Sequence, residues 1–210
     1  MTNPDNHKDS DTPQLKESVS KEPDKRARIL EAARSILSAK RYDDVPVSEI
    51  VEAAGIAKGT FYLYFPSKAD LIAAVSDELH DEIRLAIFSV ISHDQPVLEV
   101  IEAIIWSVYQ TSQKHRDLMH IVEMDVLLGG FERHRTEQDQ QISGMVQMLE
   151  RSRERGEIDP NLDLQITAEL ISGVMMPLSR AIIFGQSIIP PERYIAETVS
   201  FLRRALGVAS

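Results

Sequence analysis

The chain has 210 residues, 43% of them apolar, and a formal net charge of −10, enough for one sizeable packed domain or two smaller ones sharing a core. It contains no cysteine, which excludes disulfides, thiolate metal sites and cysteine nucleophiles. No signal-like apolar run opens it and none is long enough to span a bilayer, so a cytoplasmic protein with no membrane partner is expected.

The acidity is uneven. Residues 1–75 hold 11 Lys and Arg against 12 Asp and Glu, and residues 76–210 hold 12 against 21. A near-neutral first part leaves room for a local basic surface from Lys21, Lys25, Arg26, Arg28, Lys58 and Lys68. The acidic remainder would discourage non-specific contact with a polyanion.

Residues 1–22 are rich in Asp, Asn, Lys, Ser and Pro with almost nothing to bury, and read as a disordered tail. A first helix is expected from Asp24 to Ala39, with Ile29, Ala33, Ile36 and Leu37 on its inner stripe. Ser48 to Phe65 reads as a helix, a turn at Gly55 and a short second helix. Ser67-Lys68-Ala69-Asp70 has capping-box spacing and opens a long helix to about Val90. Pro96 suits the first turn of the next, which ends near His115, and another follows to Gly129-Gly130. Arg151, Arg153 and Arg155 before Gly156 mark a helix C-terminus. Asp163 can cap a strongly apolar helix over Leu164–Phe184, and Pro190-Pro191 precedes the last one. No strand-like alternation competes, so the fold is expected to be all-α.

The Ser48–Phe65 segment carries the function. Ile50, Val51, Ala54, Ile56, Phe61 and Phe65 can form one apolar cluster, which leaves Lys58, Gly59, Thr60, Tyr62 and Tyr64 on the rest of the short helix. A rigidly seated helix bearing a cation, a hydroxyl and two phenols suits the major groove of DNA. Free N–H groups and Gly59 in its first turn favour a close phosphate.

The stretch Ile29 to Val75 resembles the DNA-binding domain of the tetracycline-repressor (TetR) family of bacterial transcription regulators. The resemblance rests on Ile29-Leu30-Glu31-Ala32-Ala33, Tyr42, Val47, Ile50, Ala53-Ala54-Gly55-Ile56, Lys58-Gly59-Thr60-Phe61-Tyr62, Tyr64-Phe65 and Ser67-Lys68-Ala69-Asp70-Leu71. It implies an N-terminal three-helix helix-turn-helix domain (23–68), joined by a long helix to a C-terminal helical ligand-binding and dimerisation domain (69–210). It also implies DNA contacts by Ser48, Lys58, Gly59, Thr60, Tyr62, Tyr64 and Lys68, the last on a phosphate. Pro46 and Ala57 stand where relatives carry capping hydroxyls, and Ser48 is the nearest substitute.

The remainder is expected to dimerise and to bind a small-molecule effector, with no cofactor and no metal. A reading head for a few base pairs needs a second copy on a palindromic or pseudo-palindromic double-stranded operator. The helix over Leu164–Phe184 is apolar nearly all round, so a homodimer interface is expected at Ile171, Val174, Leu178, Ile182, Ile195, Val199 and Leu202. Pro177 inside it predicts a kink. Every methionine after the first lies between Met119 and Met176. Met119, Met124, Met145, Met148 and Met175, with Trp106 and Tyr109, are candidate linings of an adaptable cavity. Asp125 on an apolar stripe is a further candidate; buried, it would need a cationic ligand or Arg180.

Two other classes compete. Asp117-x-x-His120-x-x-Glu123 hints at a metal-binding helix bundle, but a di-iron bundle needs paired Glu-x-x-His motifs, and only one run occurs, in the wrong order. A protein-interaction module that uses the helix-turn-helix only structurally would not need so polar and aromatic a second helix. The sequence therefore favours a DNA-binding transcription regulator, most simply a repressor, and no enzyme.

Overall fold

The computed structural model describes residues 25–92, 94–183 and 188–208, with backbone alone at 131 and 176–183. The expected tail lies outside them. Among the described residues the architecture is all-α, with helices α1 (Lys25–Leu37), α2 (Val47–Ala53), α3 (Lys58–Tyr64), α4 (Lys68–Val90), α5 (Val97–Lys114), α6 (Met119–Asp125), α7 (Phe131–Arg133), α8 (Arg135–Glu154), α9 (Leu164–Ile183) and α10 (Pro191–Ala205).

Local signals set most boundaries. Ser67 caps α4: its Oγ accepts from Asp70 N–H at 3.2 Å and donates to the Asp70 carboxylate at 2.6 Å. Asp163 Oδ1 accepts from Ile166 N–H at 3.1 Å and opens α9. After α8, Glu157 Oε2 accepts from Val97 N–H, one of the orphan donors at the start of α5. Ile158, beside it, enters the core. One short turn thus ends one helix and begins another.

Two apolar clusters hold the molecule. The first joins Ile29, Ala33 and Leu37 of α1, Ile50 of α2, Phe61 of α3 and Leu71, Ile72, Val75 and Leu79 of α4. Leu118, Met119 and Ile121, from α6 and the turn before it, belong to the same cluster. The second joins Val97, Leu98, Ile101 and Ile105 of α5 with Leu149, Ala168, Ile171, Ile195, Leu202 and Leu206. Long α4 packs on both α5 and α6 and spans the two regions.

The expected single helix up to Gly129-Gly130 is divided. A tight turn at Arg116–Leu118 precedes α6, and a widened turn, Val126–Gly130, follows it with Gly129 at φ 97°. The break follows Asp125, which is buried to 1% exposure, and Gly130 packs against its carboxylate. Helix α9 continues through Pro177 without interruption.

Candidate nucleic-acid interface

Helix α3 has seven residues and cannot hold itself together in isolation. It is pinned by Phe61 and Phe65, both buried, whose rings lie 5.8 Å apart. Arg28 on α1 secures the preceding turn: its Nη2 donates to the carbonyls of Ala54 and Gly55. Sequence reasoning placed Arg28 on a basic surface, and the structure instead uses it to close the C-terminus of α2. Arg26 stacks 5.6 Å over the Phe65 ring. Neither α2 nor α3 has a side-chain cap, with Pro46 and Ala57 at the two N-cap positions.

With Phe61 inward, the opposite face of α3 is solvent-facing. Lys58, Gly59, Tyr62 and Tyr64 are exposed, Thr60 is half-buried, and Ser48 is exposed in the first turn of α2. Leu63, which sequence reasoning passed over, stands about 160° round the helix from Phe61 and is 84% exposed. A helical-wheel reading anchored on Phe61 would have found it. Lys68 is half-buried: its Nζ donates to the Tyr42 carbonyl and sits 3.9 Å from that residue's ring centroid. Burial holds its ammonium below the ordinary lysine value, and Asp43 and Asp44 pull the other way.

A hydrogen-bonded junction ties α1 to the rest of the chain. Arg34 reaches Glu78 at 3.0 Å and Glu82 at 3.2 Å on α4. His115, after α5, contacts Glu82 through Nε2 while its Nδ1 faces Arg34 Nη2 at 3.5 Å. A proton on Nε2 satisfies both contacts. Burial opposes the Arg34 charge, but the two glutamates outweigh it and raise its pKa.

The candidate pocket residues separate. Met119 is buried in the first cluster and Met124 packs against it, whereas Trp106, Tyr109, Met145, Met148 and Met175 pack against the second. They thus fall into two packing groups. An open cleft of about 420 Å³ lies between α4 and α5, lined by Ala86, Ser89, Trp106, Gln110, Thr111 and Lys114 among others; of the predicted residues it includes Trp106 alone. Asp125 is buried, and it pairs with Arg133 and with His134 at 3.4 Å; the side chain of Arg180, the partner considered from the sequence, lies outside the described residues.

Several of the predicted dimer residues are already covered within one chain. Ile171, Ile195 and Leu202 are each at most 3% exposed within one chain, and Val199 packs against the same core. Intramolecular packing of α5 against α9 and α10 takes them. Val174 is half-buried, and the side chains of Leu178 and Ile182 lie outside the described residues. Among the described residues, the large apolar side chains left exposed on α9 and α10 are Ile166, Leu170 and Phe201, at 55%, 65% and 49%. As for the metal reading, Asp117 lies in the turn before α6, off the helix of His120 and Glu123. No cluster of three potential ligands occurs among the described residues. Nor is any described helix long and apolar enough to cross a membrane.

Comparison with known proteins agrees with this geometry. Residues 29–75 match the family of bacterial regulatory proteins called the tetR family. The helix-turn-helix-type transcriptional regulator YvdT of Bacillus subtilis (strain 168) is 27% identical, over 87% of this chain and 95% of its own. YdgC, a second regulator of that type from the same organism, is 28% identical over 87% and 93%. Among solved structures, Salmonella enterica GusR superposes with a TM-score of 0.67 at 18% identity, covering 90% of this chain and 98% of its own. A TetR-like transcriptional regulator from Rhodococcus sp. RHA1 gives 0.66 at 19% identity, over 87% and 96%. The helix-turn-helix thus lies where the chain matches the tetR family, and the fold along most of its length is that of solved tetR-like regulators.

Proposed function

We propose that the protein is a homodimeric repressor that reads a palindromic or pseudo-palindromic operator with α3 and leaves it when a small molecule binds the C-terminal part. The reading divides the chain into a tail (1–22), a DNA-binding head (23–68) and an effector and dimer body (69–210). The observation that carries it is the outward face of α3, where Lys58, Gly59, Tyr62 and Tyr64 are exposed on a helix fixed by Phe61. These residues and Thr60 approach base edges and sugar-phosphate, Ser48 reaches a flanking phosphate, and Lys68 presents a further donor beside Tyr42.

Ile166, Leu170 and Phe201 support a two-fold contact through α9 and α10, since an exposed apolar stripe of this kind asks to be covered. The effector site belongs among the aromatic and methionine residues of the body and the cleft beside Trp106. Coupling to the head has a material route: α6 contributes to the head's apolar cluster, and Arg34 binds α4 and His115. Such an effector acts only by binding the DNA-incompetent arrangement more tightly. No catalytic step is assigned.

The test is selection of the full-length protein on random duplex DNA, followed by binding across a salt series. Enrichment of one two-fold motif, with affinity falling steeply as salt rises, is the expected result. No enriched sequence, from protein refolded to strip any bound inducer, would refute the reading.

A further inference from the structure

The outer stripe of α3 presents two features that the protein's own packing does not require. Leu63, a full-sized apolar side chain, is 84% exposed at the pole of the helix opposite Phe61. One turn before it, at i−4 and so beneath it on the same face, stands Gly59. A Cβ built on Gly59 meets nothing within 4 Å, and its φ does not call for glycine. Glycine in a helix is about 1 kcal/mol worse than alanine, and a bare leucine gains nothing from water. Two locally unfavourable choices on one stripe point to a surface outside the chain that comes close at Gly59 and is apolar at Leu63.

The flanks narrow the identity of that surface. Tyr62 and Thr60 border the stripe and Lys58 precedes it, so the apolar contact is a single point within a polar, cationic face. A protein groove would bury a run of apolar side chains. A major groove offers isolated apolar groups amid acceptors and phosphates: the C5 methyls of thymine, which apolar side chains read. Resting on the regulator reading above, we infer that Leu63 is a specificity-determining residue that packs on a thymine methyl in each half-site, with Gly59 letting the helix backbone approach closely enough for the contact.

The experiment removes one methyl at a time. The full-length protein is first used to select an operator from random duplex DNA. Each thymine of the selected site is then replaced by deoxyuridine, which deletes the C5 methyl and leaves pairing and hydrogen-bonding groups intact. One thymine position per half-site is expected to matter, with affinity falling about fourfold per methyl, the equivalent of about 0.8 kcal/mol for one buried methyl. With Leu63→Ala the same replacement should cost nothing, and the salt dependence should be unchanged because no phosphate contact is lost. Leu63 is too exposed for this substitution to unsettle the fold.

A wild-type scan in which no deoxyuridine weakens binding would overturn the inference without any mutant. A methyl dependence that persists in Leu63→Ala would also overturn it, assigning the methyl to another side chain. Selection that enriches no sequence would instead defeat the regulator reading on which the inference stands.

Discussion

Arg28 and Gly55 are matched to each other. The guanidinium donates to the Gly55 carbonyl at 3.1 Å and to that of Ala54, and Nη2 lies 2.7 Å from where a Cβ on Gly55 would stand. Gly55 also has φ +61°. Gly55→Ala should therefore destabilise the fold by about 1–2 kcal/mol through the left-handed backbone alone, and further by displacing Arg28. Arg28→Ala should cost about 1 kcal/mol, leaving the end of α2 short of a donor. In the double variant the clash has no second party, so the total should fall below the sum. Urea unfolding of the four proteins checks this.

Gly59→Ala should separate stability from binding. Nothing in the chain opposes the methyl group, so the fold should gain about 0.5–1 kcal/mol. DNA binding should weaken about tenfold, a steric cost of roughly 1.4 kcal/mol, if the duplex approaches this backbone closely. Thermal unfolding and operator titration together test it. A more stable protein with unchanged affinity would remove Gly59 from the interface.

The turn after α6 is built around one buried carboxylate. A Cβ on Gly130 would lie 2.5 Å from Asp125 Oδ2 and 2.8 Å from the Asp125 backbone oxygen, and the backbone oxygen cannot step aside. Gly130→Ala should cost about 2 kcal/mol or more, in the range of other overpacking changes. Arg133→Ala leaves the Asp125 carboxylate with His134 alone, at 3.4 Å. Breaking a buried pair costs about 3–5 kcal/mol, but Arg133 is 42% exposed on its side chain, so about half that is expected after solvent screening. Chemical denaturation of each variant gives the answer.

Stability should fall in mild acid through His80. Burial, reinforced by the neighbouring His134, holds its imidazole below the ordinary value of 6.5, while Asp125, Asp77 and Glu137 pull it up. A folded-state pKa below the unfolded one means the unfolded chain binds more protons, so stability is complete above pH 6.5 and is lost as pH falls through the folded value. Asp77 has the opposite sign: burial first, opposed by His134, raises its pKa, so its contribution fades as pH rises through that value. His80 also faces Ser76 Oγ at 3.3 Å and the His134 ring at 4.5 Å. His80→Gln should flatten the loss of stability below pH 6.5 relative to wild type, read as denaturation midpoints across pH. Parallel curves would show that the loss lies elsewhere.

Leu170→Glu combined with Phe201→Glu should yield a folded monomer, because both side chains are exposed within one chain. Operator affinity should drop by orders of magnitude as the second half-site is lost. Sedimentation at several concentrations reads the first effect and DNA titration the second. A dimer that persists would place the interface on another surface.

The helices and the seating of α3 were legible because they depend on local signals: Ser67 with Asp70, Asp163 ahead of Leu164, Gly55 in its turn, and apolar spacing along α1 and α10. The interior of the body was not. Ile171, Ile195 and Leu202 are apolar at helical spacing, and spacing alone does not say whether the covering surface is another helix of the same chain or a second copy. Composition grouped the methionines, whereas packing divided them, with Met119 drawn into the head's cluster and Met175 into the other. Asp125 announced itself as anomalous, yet its partner Arg133 became its neighbour only through a turn with Gly129 at φ 97°. Leu63 was overlooked because an apolar residue on a short helix is ordinarily assumed to point inward.

The presence of Leu118, Met119 and Ile121 in the same apolar cluster as Ile29, Ile50 and Phe61 bears on how such proteins can be recombined. Residues 25–68 do not enclose their own interior, since α4 and α6 supply part of its wall. Grafting that segment onto a foreign body would leave Ile29 and Phe61 against unfamiliar side chains, so a functional chimera would have to carry the α4 and α6 segments along with the reading helices. Inheritance would meet the same constraint: drift at those three positions is answerable to the fit of the helices that carry Ile29, Ile50 and Phe61.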